Sequence, residues 1–211
     1  MYYIGIELEN KGKYRSSLIY NLKITFVTSV LGTQPQKDVA TEYITSKAAD
    51  PVTGELPADE LETLPEALEK GTTAFHKLGG KPIYYDYMIK GFLKEAGSVF
   101  NGLRGVKNLR SKIENFAFVT PRRISLNLPT CASIAFCERP LRAMTAQGPR
   151  TSVARSEELP EGTWLECVLE IYDGPISEPL LLDLLSYGEH KGLGQWRNGG
   201  HGRFTFELEK V

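Results

Sequence analysis

The residues best suited to chemistry crowd the C-terminus, in HKGLGQWRNGGHGRFTFELEKV. His190 and His201 bracket the stretch, and an imidazole near its ordinary pKa can take a proton from a ribose 2′-hydroxyl while a lysine steadies the charge. No Ser/His/Asp arrangement accompanies them, and autonomous catalysis is not the expected reading. Between and just beyond the two histidines stand Gly192, Gly194, Gly199, Gly200 and Gly202, five glycines within eleven residues. Such density asks for positive φ or for something that approaches the backbone closely. A sugar-phosphate strand is one candidate: bare amides donate to phosphate oxygens, Lys191, Arg197 and Arg203 supply charge, and Trp196 offers a ring for a base. A long turn packed on a sheet, with Trp196 as a lid over the core, is the other.

A second set of cations lies upstream. Lys90, Lys94, Arg104, Lys107 and Arg110 fall near one helix and its following turn, where they can track a nucleic-acid backbone or serve only as a solvated face. The chain's formal net charge of -1 hides this asymmetry. Acids dominate from Asp38 to Glu69, and Lys81 to Arg123 is mostly basic, so a neutral total is compatible with a basic stripe. The acids read as a solvated face rather than a metal cluster, and no metal or cofactor is expected. Cys131, Cys137 and Cys167 form no CxxC pair, which argues against both a disulfide framework and a zinc site. No apolar run approaches the roughly 20 residues of a membrane helix, and MYYIGIELENKGKYR lacks signal-peptide features. A cytoplasmic protein with no membrane partner is expected.

Positioning these groups requires a sheet and at least two helices. YYIGIELE and LIYNLKITFVTSV read as strands, the second of them central, and residues 33–80 read as an insertion containing an acidic helix from about Asp59. In YYDYMIKGFLKEAGSVF the apolar residues Tyr85, Met88, Ile89, Phe92, Leu93 and Ala96 recur at helical spacing, with Asp86 as a cap. A short helix in LRGVKNLRSKIENF and short strands in NFAFVT, RRISLNL and SIAFCERPLRAM follow. TAQGPRTSVARSEELPEG is expected to be a long loop. TWLECVLEIYDG reads as a strand, and SEPLLLDLLSYG as a helix with Ser177 at its N-cap, Pro179 in its first turn and Gly188 at its end. RFTFELEKV alternates as a last strand. The order predicts an α+β, ferredoxin-like antiparallel sheet with helices on one face, as a single domain over 1–211 with the long insertion after the first core strand.

The glycine loop joins a helix to a strand, the reverse of Rossmann and P-loop motifs, which need a helix N-terminus at the phosphates. Its spacing resembles the GhGxxxxxGxGxh loop of the RAMP superfamily, the repeat-associated proteins of CRISPR ribonucleoprotein complexes. Gly192, Gly194, Gly200 and Gly202 match, with Leu193 and Phe204 at the apolar positions. PIYYDYMIKGFLKEA is similar to the lysine-glycine helix start of the family's backbone subunits, through Lys90 and Gly91, and RTSVARSEELPEGTWLECVLEI to their loop and late strand, through Gly162. The usual serine-rich run before the lysine-glycine pair is here YYDYM. The resemblance spans about Leu18 to Val211. It implies a protein that holds guide or target RNA by backbone contacts, assembled with copies of itself or related subunits. Some relatives cleave RNA with an aspartate after the first core strand, for which Asp38 is the nearest candidate. An endoribonuclease and a phage or mobile-element assembly protein are the alternatives.

Overall fold

Alternation in SLIYNLKITF makes β1 (Ser17–Phe26) a strand with one dry face, on which Tyr20, Leu22, Ile24 and Phe26 are buried while Ile19 and Asn21 face outward. The computed structural model describes residues 17–35, 37, 62–64, 72–145, 148–172 and 174–211. The expected strand in YYIGIELE, Asp38 and the acidic helix near Asp59 lie outside the described residues. β1 sits inside a four-stranded antiparallel sheet, between β10 (Trp164–Tyr172) and β11 (Phe204–Lys210), with β6 (Ala117–Thr120) beyond β10. The order across the sheet is β11-β1-β10-β6, with Leu22 opposite Cys167 on one side and Leu208 on the other.

Two helices cover the dry face. α1 (Asp86–Val99) buries Ile89, Phe92, Leu93 and Ala96, and α3 (Glu178–Ser186) buries Leu180, Leu181, Leu184 and Leu185 in the same core as the sheet residues. Phe92 of α1 meets Phe204 of β11 edge-on, with ring centroids 5.3 Å apart; such pairs add about 0.5–1.5 kcal/mol beyond burial. α2 (Leu109–Phe116) leans on α1 through Leu109 and Ile113. The opposite face of the sheet is open and carries Asn21, Lys23, Glu166, Glu207 and Glu209 around a shallow depression. The helix assignments hold, with two local differences. Tyr85 takes the N-cap position of α1 and Asp86 is its first residue, its carboxylate accepting from the Tyr87 amide at 2.8 Å. Gly188 does not end α3: it opens a further short helix, α4 (Gly188–Lys191), and a Cβ there would stand 1.9 Å from Phe204 Cζ.

The stretch expected to be a loop is a strand. β9 (Gly148–Leu159) pairs with β8 (Ala135–Thr145) without interruption from Ala135 opposite Glu158 to Thr145 opposite Gly148. Phe136, Leu141 and Val153 are exposed on this hairpin. Its ladder of backbone hydrogen bonds, rather than one buried face, holds it, so its polar sequence shows no period-two pattern. The hairpin also seeds a second sheet. β2 (Val30–Leu31) pairs antiparallel with the end of β9, and β3 (Thr72–Thr73) pairs parallel with it. A third sheet joins β4 (His76–Leu78), β5 (Lys81–Tyr85) and β7 (Arg123–Ser125). Glu157 of β9, 2% exposed, ties the second sheet to β4 by accepting from the Phe75 amide at 3.0 Å and pairing with Lys77. Among the described residues, no helix is long and apolar enough to cross a membrane.

Candidate functional site

The loop from Gly192 to Arg203 doubles back on itself and is bolted to the segment after β1. Leu193 N donates to Gly202 O at 2.8 Å, Gly202 N to Ser29 O at 2.8 Å, Gln195 N to Leu31 O at 3.3 Å and Arg203 N to Thr28 Oγ1 at 2.9 Å. The two arms of the loop lie so close that a Cβ on Gly202, where φ is +75°, would stand 1.7 Å from Leu193 O. Gly192 and Gly194 meet the chain's own backbone in the same way, at 2.5 Å from Gly202 and 2.8 Å from Leu31 O. At these three positions what approaches the glycine is this protein. Gly200 differs: its φ is +89°, and an added Cβ would meet nothing within 4 Å. The packed-turn and binding readings therefore divide the loop between them.

Successive side chains of the loop point to two different neighbours. Gln195 and Trp196 go to the base of the hairpin, where Gln195 Oε1 accepts from Ser156 Oγ at 2.9 Å and from Thr73 Oγ1 at 3.0 Å. Trp196 is 43% exposed and has a left-handed backbone, with φ of 53°. Its ring stacks on His201, with centroids 5.0 Å apart, and the Arg139 guanidinium lies 5.0 Å from its centroid. His201 in turn shares a 3.0 Å hydrogen bond between Nδ1 and Ser29 Oγ. Arg197 turns the other way and donates to Glu95 of α1 at 2.6 Å, and Lys191 lies 4.0 Å from the same carboxylate. Arg203 Nε donates to the Glu189 carbonyl at 2.6 Å. Between loop and α1 is a cavity of about 220 Å³ lined by Tyr84, Met88, Phe92, Gly194 and the Glu95–Arg197 pair. The buried Tyr84 hydroxyl has no hydrogen-bond partner among the described residues, and burial holds its pKa well above the ordinary phenol range.

The upstream cations form a separate group. Lys94 donates to Glu114 of α2 at 2.7 Å, and Glu114 is held below the usual carboxylate range by that bond first and by the nearby charges of Lys94, Lys90 and Arg110. Lys90 also lies 4.7 Å above the Phe118 ring. Arg104 is bonded to Asp183 of α3 at 2.6 Å, and Lys107 is exposed on the turn before α2. Gly91 is exposed on α1 with open space beside it, and Gly162 takes a φ of +79° in the turn between β9 and β10. The structure thus gathers Lys90, Lys94 and Arg110 around Glu114, and Lys191 and Arg197 around Glu95. Glu95 sits one residue on from Lys94, about 100° around the helix.

Of the catalytic candidates, Asp38 lies outside the described residues, His190 is exposed on α4, and His201 is stacked and hydrogen-bonded. Among the described residues no three His, Cys, Asp or Glu side chains gather as a metal site. Sequence reasoning missed Arg139, Glu95, Ser29 and Tyr84. Arg139 lies in ERPLR, within a stretch the sequence shows only as a short strand, and nothing in its spacing marks it as the residue that reaches Trp196.

No family model matches the chain, and no curated protein matches it. Among solved structures, a chain of the Type III-B Cmr-beta bound to cognate target RNA is similar, with a TM-score of 0.51 at 13% identity over 92% of this chain. The match covers 61% of that subunit, so this chain spans about three fifths of its length. A chain of a Type IV-B CRISPR complex aligns over 90% of both chains at 13% identity, with a TM-score of 0.44. The chain shares its α+β fold with a CRISPR-complex subunit.

Proposed function

We propose that this protein is an RNA-binding subunit of a multi-subunit ribonucleoprotein, a RAMP-like relative of CRISPR effector backbone subunits that holds guide or target RNA in the cytoplasm. Its core is then ferredoxin-like, one domain over 1–211 with 33–80 as an insertion. The chain order β1, α1, β6, β10, α3, β11 and the spatial order β11-β1-β10-β6 support that reading. So does the fold shared with a chain of a target-RNA-bound complex.

The observation that carries the functional reading is the loop itself. Three of its glycines pack it against the chain's own backbone, and it then presents an exposed tryptophan ring on its hairpin side, the open backbone of Gly200, and Lys191 and Arg197 on its α1 side. A ring on a rigid backbone stacks on any base, and backbone free of side chains lets a sugar-phosphate strand come close, which gives binding without sequence preference. The open sheet face, rich in glutamate, repels a polyanion and directs RNA to the loop side. The test is to purify the protein at moderate salt, record absorbance at 260 and 280 nm, and sequence any RNA that survives nuclease. Protected RNA, and loss of binding in Trp196→Ala, are expected. Clean protein that binds no single strand at low salt, where phosphate contacts are strongest, sinks the proposal and favours an assembly role for a borrowed fold.

A further inference from the structure

Two unfavourable features coincide beneath the loop. Arg139 is 5% exposed, donates Nη1 to Ser156 Oγ at 3.2 Å, leaves Nε without a partner, and makes no ion pair among the described residues. A nearly buried guanidinium is ordinarily matched by a carboxylate, because an uncompensated charge out of water is costly. Directly over it stands Trp196, a bulky residue in the left-handed region, where non-glycine residues are strained. Other cations of the loop and of its α1 wall are better compensated or more open to water: Arg197 and Lys191 share Glu95, Lys94 has Glu114, and half-buried Arg203 bonds the Glu189 carbonyl. What sets Arg139 apart is near-complete burial without an acid, under the ring of Trp196. Strain and unmatched charge kept together at one place mark a site completed by a ligand.

We infer that Arg139 is the anchor of a phosphate-binding site, capped by Trp196, which takes one backbone phosphate of the RNA strand. The inference rests on the RNA-binding reading above. Guanidinium nitrogens match phosphate oxygens in shape as well as charge. The Ser156 and Thr73 hydroxyls, 2.7 Å apart, donate to Gln195 Oε1 and fix that side chain beside Arg139, leaving its Nε2 as the further donor of the polar shell. Trp196 is then both lid and platform: it covers the guanidinium in the free protein, and a turn of its side chain away from Arg139 admits the phosphate and lets the ring stack on the neighbouring base. Because the anion supplies the missing counter-charge, free phosphate is a weak surrogate for the strand.

The test uses the full chain, a uridine-rich RNA 20-mer and inorganic phosphate, on wild type, Arg139→Met and Arg139→Lys. The side chain of methionine fills the same volume without charge. In the free protein R139M is expected to melt about 2–4 °C above wild type, since it removes an uncompensated charge. Its RNA affinity is expected to fall about tenfold or more, and the slope of log K against log salt to flatten by about 0.7, the counterion share of one phosphate on a single strand. R139K, which keeps the charge and guards against a folding failure in R139M, is expected to lose affinity with the wild-type slope. Millimolar phosphate raises the melting temperature of wild type and not of R139M. An R139M slope equal to wild type, or an R139M protein that folds but melts lower than wild type and keeps its phosphate response, makes Arg139 a structural residue and overturns the inference. A wild type that binds no RNA sinks the RNA-binding reading instead, and the phosphate-dependent melting shift then decides the anion site alone.

Discussion

Gly202 and Gly200 are two residues apart, both at positive φ, and the structure assigns them opposite kinds of necessity. An alanine at Gly202 drives its methyl into Leu193 O, 1.7 Å away, so the two arms of the loop must part. Parting them forfeits the Leu193 N to Gly202 O and Gly202 N to Ser29 O bonds, at about 1 kcal/mol each, in addition to about 1–2 kcal/mol of left-handed strain. The sum is roughly 3–4 kcal/mol, or a fall of about 6–16 °C in melting temperature for a chain of this size. An alanine at Gly200 meets nothing within 4 Å and incurs only the strain, about 1–2 kcal/mol and a few degrees. Its methyl does, however, hold a strand off the backbone, for which a loss of about tenfold in RNA affinity, or 1.4 kcal/mol, is expected. Differential scanning fluorimetry and fluorescence-anisotropy titration of the same two proteins separate the effects. Equal melting shifts for Gly202→Ala and Gly200→Ala refute the close-approach argument, and full RNA affinity in Gly200→Ala removes that backbone from the interface.

Three further outcomes follow from the same geometry. Glu95→Gln releases Arg197 and Lys191 from their shared carboxylate; RNA binding by titration is expected to tighten several-fold with a steeper salt slope, and weaker binding would show that Glu95 positions these cations rather than masking them. His76 is fully buried against Tyr85, bonded through Nδ1 to Thr63 at 2.9 Å, and burial pushes its pKa down to about 4. Its neutral form is the one the fold accepts, so its contribution is complete above the unfolded pKa of about 6.5 and lost as pH falls toward 4, by up to about 3 kcal/mol; denaturant melts across that window should show the loss in wild type and a flatter profile in His76→Gln. Cys131 is exposed whereas burial pushes the Cys167 thiol up to about 12, so a disulfide reagent at pH 8 should label Cys131 fast and Cys167 only on unfolding.

What was legible in the chain was whatever one-sided burial writes into it. β1 and α1 each pack one face against the core, so their period-two and helical patterns are explicit in Tyr20, Leu22, Ile24, Phe26 and in Ile89, Phe92, Leu93, Ala96. The β8–β9 hairpin has no such face over most of its length, and its Gly, Pro, Ser and Arg content reads as loop although its ladder runs eleven residue pairs. The glycine loop was visible as a motif but ambiguous in cause. Positive φ, backbone packed on backbone and room for a ligand all call for the same residue, and only neighbours distant in sequence, Leu31 and Ser29, separate Gly194 and Gly202 from Gly200. Arg139 was illegible for the same reason: its meaning lies in Trp196, 57 positions away along the chain.

The net charge of -1 becomes compatible with a polyanionic partner once its distribution is seen. Glu114, Glu95 and Asp183 each stand against cations on the helical layer, setting their direction and damping their field, while Glu166, Glu207 and Glu209 occupy the far face of the sheet. Screening confines such fields to about 8 Å at physiological salt, so what a strand meets is the local pattern and not the total. On the loop side that pattern includes a nearly buried cation, Arg139, with no ion pair among the described residues, and it lies under the ring of the exposed Trp196. A protein selected only for stability would neutralise or remove that charge. On the inference above, that charge is the physical reason to place the strand there, with the paired cations acting as a weaker, adjustable track on either side.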